Sequence, residues 1–533
     1  MSITIGLPRG GVWESASSSL VASVLDQRGD PMSAVPLRWS SSDTTVARVS
    51  QGRIDGRRPG TVMIHAQAGE AEASITIEVQ RDLVQRIDLT APRDSAIVGR
   101  TLPIAARFTG VHGGLLEART PIWTSADTAI ALVDTNGVVH AVAPGTTTVR
   151  AVIDDAVREF SVRVVPVPIG SVQLTVADEV LGVGGHTTVS ALAFADDGSP
   201  LPDRHVTIEV LDLRKARLDG SVVHAVGSGI ATVRASAEGV VTETSLRIER
   251  PAYEPWSAEV VFGANVTVGE QALVHGAVAR WAEAILAAAP VEPTPSTLPA
   301  GSCGKAQSEP IVNEVITRLR LYVMFDSLDG RGGAVAAAGP CVVARGPSHR
   351  PGNPARPVIG IIWVDSTDLR TGVFSTALWH NVLVHEIGHV LGIGTLWHSD
   401  AYIHGRDGTE PHYIGANAVR EWRTLGGEGI GLDIETNGSG GTAGAHWSDR
   451  TYQNEVMTGW VGSGLQPLSL LTLGALADFG WVVDYGQADP YTLPPPWVDA
   501  RVGVSAPTVR LVERILKPKF ETSGGVTLKL PDR

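Results

Sequence analysis

Two histidines four residues apart with a glutamate between them, His385-Glu386-Ile387-Gly388-His389, carry the strongest chemical signal in this chain. An H-E-x-x-H string should arise by chance only roughly 0.02 times in a chain of this length, so the match is informative before its context is read. On a helix, positions 385 and 389 lie one turn apart, about 6 Å along the axis, and both imidazoles project from one face where they can grip one ion. Glu386 stands about 100° around the helix from His385, beside the ion without being forced to ligate it. Zinc held by three protein groups keeps a fourth position for water and lowers that water's pKa to about 7. A carboxylate placed like Glu386 can then take the proton and deliver it to a leaving amine, which is the chemistry of peptide hydrolysis.

These side chains need a rigid helix, and residues 376–392, TALWHNVLVHEIGHVLG, supply its pattern. Leu383, Ile387, Val390 and Leu391 are expected on the side away from the ligands, anchored in a core, with Gly392 as the helix stop. A third ligand is required. The compact pattern H-E-x-x-H-x-x-G-x-x-H would place it at position 395, which is Thr395. The residues alone leave His398, His404, His412 and His446 open, and Glu421 if the site is of the two-His, one-Glu kind.

Around this motif the chain predicts a mixed α/β unit beginning near residue 251. Leu273, Val278, Trp281 and Ile285 are spaced for a long helix over 268–288, and LRLYVMF (319–325), CVVAR and VIGIIWV (358–364) read as strands. LSLLTLGALADFGW spaces Leu470, Leu473, Leu476 and Ala477 as a helix that would pack under the site, and Trp397, Trp447 and Trp460 are candidates for the cleft wall. Cys303 and Cys341, 38 positions apart, read more simply as one disulfide than as a thiolate capping a metal in a latent state. Bonded, a loop of that length would contribute about 4 kcal/mol and imply an oxidising compartment. Asp326, Asp329, Asp365 and Asp368 are donors of the type Ca2+ takes, although acids at strand ends are usually solvated. Residues 491–533 hold two short apolar runs, VRLVERIL and GVTLKL, to which no role is assigned.

The N-terminal half repeats itself. RRPGTVMIHA around Gly60, VAPGTTTVRA around Gly145 and VGSGIATVRA around Gly229 recur 85 and 84 residues apart. LRWSSSDTTVARV with Trp39 and PIWTSADTAIALV with Trp123 precede the first two, and the third copy has diverged to VTIEVLDLRKARL. Runs such as SITIEV and TSLRIE alternate polar and apolar residues between Gly, Pro, Asp and Asn turns, the pattern of a β-sandwich. These segments resemble bacterial immunoglobulin-like domains (group 2), with expected boundaries 1–80, 81–167 and 168–250. Such domains act mostly as extracellular spacers or adhesive stalks, so cell-surface or matrix contacts are the expected role.

The later half resembles the leishmanolysin family of metzincin peptidases over about 251–490. The residues that carry the likeness are HEIGHVLGIGTLW (385–397), YIGANAVREW (413–422), AHWSDRTYQNEVMTGW (445–460) and LSLLTLGALADFGWVVD (468–484). The resemblance implies that His385, His389 and His446 bind one catalytic Zn2+, that Glu386 is the general base, and that Met457 forms the Met-turn beneath the metal. The expected fold class is therefore multidomain: all-β Ig-like sandwiches, then an α+β metzincin-type peptidase domain. The expected function is a secreted or surface zinc metalloendopeptidase acting on protein or peptide substrates. The rival is an adhesin or cell-wall-binding protein whose metallo domain is inactive and only stabilised by zinc.

The 533 residues carry a net charge of -13 without long like-charge runs, which argues against nucleic-acid partners. No window offers the roughly 18 consecutive apolar residues of a transmembrane segment. MSITIGLPRGG has no basic segment followed by an apolar core of the secretory type, so the extracellular or cell-surface expectation does not come from the terminus.

Overall fold

The alternating N-terminal runs fold into sandwiches in the computed structural model, which describes residues 1–33, 35–252, 256–288, 294–299, 301–303, 312–344, 355–372, 374–397, 401–405, 410–437, 441–462, 464–495, 508–523 and 526–530. In each repeat the glycine opens a long antiparallel hairpin: Gly60–Ala68 with Ala71–Gln80, Gly145–Ile153 with Ala156–Val165, and Gly229–Ala237 with Val240–Glu249. Burial alternates along the first strand, with Val62, Ile64 and Ala66 inward in the first copy and Ala231, Val233 and Ala235 in the third. A short parallel strand on one side and an antiparallel strand on the other complete a four-stranded sheet of the same order in all three copies. Trp39 and Trp123 sit opposite Ala66 and Ala151, and in the diverged copy Ile208 sits opposite Ala235. The pairing survives with a smaller side chain in the aromatic position.

The chain divides into two compact units, Met1–Pro168 with the first two sandwiches and Ile169–Arg533 with the third sandwich and everything after it. Within the second unit the third sandwich is bonded to the later residues. Where the earlier turns have Pro59 and Pro144, this copy has Ser228, whose N–H and hydroxyl donate to the two oxygens of buried Asp484, both at 2.6 Å. A Cβ on neighbouring Gly227 would collide with the backbone of Gly486. Arg217 forms an ion pair with the buried Glu421.

Beyond residue 256, β1 (Glu259–Phe262), β2 (Arg320–Asp326), β3 (Ala336–Ala344) and β4 (Arg356–Asp365) form a sheet in the order β1-β2-β4-β3, parallel except for β3. β2, β3 and β4 are apolar and buried nearly throughout, as strands covered on both faces must be. One face packs helices α1 (Val268–Ala284) and α2 (Thr376–Leu391). The other packs a cluster around the bonded pair Cys303 and Cys341. Helices α3 (Ala416–Thr424) and α4 (Leu470–Asp478) complete the larger core, and β5 (Trp460–Gly462) runs between them in sequence.

Three expectations change. The helix predicted to 288 stops at Ala284, because Ile285–Ala288 pairs antiparallel with Trp481–Val483 and tertiary pairing overrides the helix preference of alanine. The helix that carries His385 and His389 is not one-sided: from Val382 to Leu391 every residue is buried, histidines included. The C-terminal residues do not stand apart either. β6 (Thr508–Arg510) pairs with β5, β7 (Glu513–Ile515) and β8 (Phe520–Ser523) both pair in parallel with β3, and β9 (Val526–Lys529) closes a hairpin with β8.

Gly388 sits where α2 crosses Met457 and Trp281, and a Cβ there would collide with the Met457 sulfur. G388A should therefore lower stability by about 1–3 kcal/mol of overpacking, more than the roughly 1 kcal/mol gained in helix propensity. Thermal unfolding of the variant beside the wild type checks the sign. C303A/C341A should cost up to about 4 kcal/mol from loop closure, read as a lower denaturant midpoint that reducing agent reproduces in the wild type.

Candidate metal centre

Local structure explains why three imidazoles converge. Ser375 caps the start of α2 by accepting from Leu378 N–H, and the helix ends at Gly392, so the chain doubles back and the Ile393 carbonyl accepts from His389 Nδ1 at 2.8 Å. His385 Nδ1 donates to the Val456 carbonyl at 2.6 Å and His446 Nδ1 to the Thr442 carbonyl at 2.8 Å. A carbonyl can only accept, so each Nδ1 carries a proton, and in a neutral ring that leaves Nε2 with its lone pair. The three Nε2 atoms lie 3.0, 3.1 and 3.1 Å apart, and all three rings are fully buried. Three acceptors this close have no hydrogen bond to offer one another. The spacing approaches the roughly 3.3 Å edge of a tetrahedron whose bonds are about 2.0–2.1 Å, the length of a zinc–imidazole bond. These residues fit a divalent ion.

A fourth group completes the cluster. Glu513 of β7 brings Oε1 to 2.7 Å from His446 Nε2, and Oε2 to 3.3 and 3.4 Å from His385 and His389. Ligand atoms of the four residues lie within 4.8 Å of one another. Glu386 is 0% exposed, and neither of its oxygens finds an N–H or O–H donor among the described residues, so a proton shared with Glu513 is the one hydrogen bond open to it. Burial pushes its carboxyl well above the usual range and nearby Glu513 pushes the same way. For Glu513 burial acts upward, but His446 and His385 outweigh it and hold the group well below that range. Burial pulls His389 down to about 4, whereas in His446 the Glu513 charge overcomes burial and the shift is upward. A bound cation would act on all of these groups as the largest local charge.

Met457 is buried beneath Gly388, and its carbonyl accepts from Trp447 N–H at 3.1 Å, which ties this turn to the segment carrying His446. Glu455, fully buried, accepts from Met457 N–H, the Ser469 hydroxyl and the Thr472 hydroxyl at 2.6–2.7 Å, anchoring the turn to α4. Thr395 is also buried and donates to the His389 carbonyl at 2.7 Å. Sequence reasoning gave neither Glu455 nor Thr395 a structural part. It missed Glu513 as well, although Leu511 and Glu513 are buried while Val512 and Arg514 are not, an alternation that puts an acid on an inward face.

The other candidates lie elsewhere. His404 is exposed, His412 bonds the Glu410 carbonyl and faces Asp433 at 3.5 Å, and Glu421 is engaged by Arg217 and Arg420. His398 lies outside the described residues. Trp397 and Trp447 are core residues, their tilted rings 4.6 Å apart beside Tyr413. The acids considered for Ca2+ serve as caps: Asp365 accepts from the N–H groups of Leu328, Asp329, Gly330 and Thr367, Asp368 from Gly332 and Asp329 from Ala334. Among the described residues the metal-holding cluster is the one at His385.

Comparison with known proteins agrees with this geometry. A stretch of 168 residues, 27% of this chain, is 27% identical to a ciliated left-right organizer metallopeptidase of Xenopus laevis, covering 23% of that protein. Another of 222 residues, 39% of this chain, is 25% identical to ice-binding protein 1 of Shewanella frigidimarina and covers 25% of it. The chain thus spans about a quarter of the length of the curated relatives it matches. The crystal structure of invasin, a bacterial integrin-binding protein, aligns with 59% of this chain and 75% of its own at 11% identity and a TM-score of 0.31. Residues 84–164 match the family model of the bacterial Ig-like domain (group 2), and residues 321–494, which hold all three converging histidines, match that of leishmanolysin.

Proposed function

We propose that this chain is a zinc metalloendopeptidase that cleaves protein substrates at the cluster of His385, His389 and His446. The observation that carries the reading is Glu386: a buried carboxylate without a donor, beside three converging imidazoles. Burying such a group without partners costs several kcal/mol, and a purely structural site gains nothing from it. Three imidazoles suit zinc, with His385, His389 and His446 as its protein ligands. When bound, zinc supplies a Lewis acid that polarises a peptide carbonyl and lowers the pKa of water. Glu386 takes the proton of the attacking water and returns it to the departing amine. The Nδ1 bonds to Val456, Ile393 and Thr442 hold each imidazole in one tautomer and orientation, and Met457 is the floor that keeps α2 in place.

The Cys303–Cys341 bond and the Ig-like sandwiches favour a secreted or surface location, where the sandwiches would make cell-surface or matrix contacts. No helix among the described residues is long and apolar enough to cross a membrane. An adhesin with an inactive metallo domain remains the rival, and Glu386 separates the two.

Wild type dialysed against buffer should retain one zinc per chain by atomic absorption. H446A should lose affinity by more than about 100-fold, beyond the 10–100-fold effect of outer-shell partners. E386Q should keep its zinc and lose casein cleavage by about 10²–10⁴-fold, the usual worth of a general acid–base group. Measurable cleavage that is equal in E386Q and wild type would remove the peptidase reading.

A further inference from the structure

The cleft beside α2 is already filled by the chain's own C-terminal segment. Val335 N–H donates to the Val512 carbonyl at 2.7 Å and Leu516 N–H to the Ala338 carbonyl at 2.8 Å, so the segment lies along β3 as an added strand. On the other side Leu511 N–H donates to the Gly459 carbonyl at 3.0 Å, and β6 pairs antiparallel with β5, just past Met457. One segment therefore bridges both walls. Leu511 and Glu513 are each 1% exposed and point inward, whereas Val512 and Arg514 point outward, the latter paired with Asp329 at 3.0 Å.

We infer that residues 511–516 are a built-in occupant of the cleft, with Glu513 as fourth metal ligand, and that the chain is latent until this segment leaves. The inference rests on the zinc reading above. A zinc ion with four protein ligands belongs to the closed, structural type, and catalysis needs one ligand position open to water. Among the described residues only the three imidazoles and a proton shared with Glu386 reach Glu513, whose carboxylate faces all three Nε2 atoms. A cation held among them makes that arrangement favourable. The main-chain bonds to β3 are those an extended polypeptide uses when it adds to a sheet edge, so a substrate would compete for the same edge.

The test uses the full-length chain loaded with cobalt and titrated with acetohydroxamic acid, a small bidentate chelator, followed by visible absorption. E513A should bind the chelator at least about 10-fold tighter than wild type while holding its metal less tightly against a competing chelator, signs that a merely structural residue would not give together. L516P, which removes the N–H held by Ala338 without touching the cluster, should also tighten chelator binding. E513Q serves if E513A does not fold. Casein cleavage should rise in E513A and be absent from E386Q/E513A. Unchanged chelator and metal affinities in E513A overturn the inference. Tighter chelator binding with no cleavage in any variant upholds the occupant and overturns the peptidase reading instead.

Discussion

Three imidazole nitrogens converge on one point from 3.0–3.1 Å apart, and that convergence is the constraint to which the surrounding region answers. Each bare acceptor buried without a donor costs on the order of 1–3 kcal/mol, while a structural zinc returns roughly 10–16 kcal/mol in small peptides, so the site is favourable only as a cation site. Holding the rings so requires three carbonyls at fixed positions. α2 must end at Gly392 for Ile393 to reach back, the Met457 turn must present Val456, and the loop before His446 must present Thr442. Glu455 and Thr395 hold two of those carbonyl-bearing segments, which is why both are buried although neither touches the ion's position.

The same centre contains two carboxylates in opposite circumstances. Glu386 is pushed toward its neutral form by burial and by its acidic neighbour, whereas Glu513 is kept ionised by His446 and His385. Two acids whose surroundings drive them apart in this way differ in charge state within one centre. The division also explains the alternating inward face of β7, since an acid placed among imidazoles must come from a strand whose neighbouring side chains face solvent.

What was legible in the sequence followed from spacing that a regular element enforces. His385 and His389 are one helical turn apart in any helix, and the three glycine-led hairpins repeat at a fixed interval, so both could be read without coordinates. His446 could not be separated by spacing from His404 or His412, because 56 residues lie between it and His389 and only the fold brings it back; its flanking motif alone singled it out. Ile285–Ala288 has a helical composition and became a strand because Trp481–Val483 lay beside it. Glu513 sits in a short apolar run with no periodic signal longer than four residues, and its partners are more than a hundred positions upstream or at the cluster itself.

The third repeat shows how a spacer becomes part of a scaffold. Proline at the position before the repeat's glycine has no N–H, so Pro59 and Pro144 leave their turns without that donor, and replacing the residue with Ser228 creates both an N–H and a hydroxyl. Asp484 takes both, at a turn directly after the strand that pairs with the end of the α1 segment. The neighbouring Gly227 permits backbone approach to Gly486, and Arg217 reaches the buried carboxylate of Glu421 on α3. Arg420 pairs with the other oxygen of the same carboxylate, so Arg217 adds a second charge partner from the sandwich. Gly227 and Ser228, two positions at which this copy departs from the other two, thus touch the later residues of the second unit, whereas Arg217 stands where the first copy has Arg48. Its divergence at these two positions accompanies a contact, and the third sandwich serves as a structural wall of the second unit.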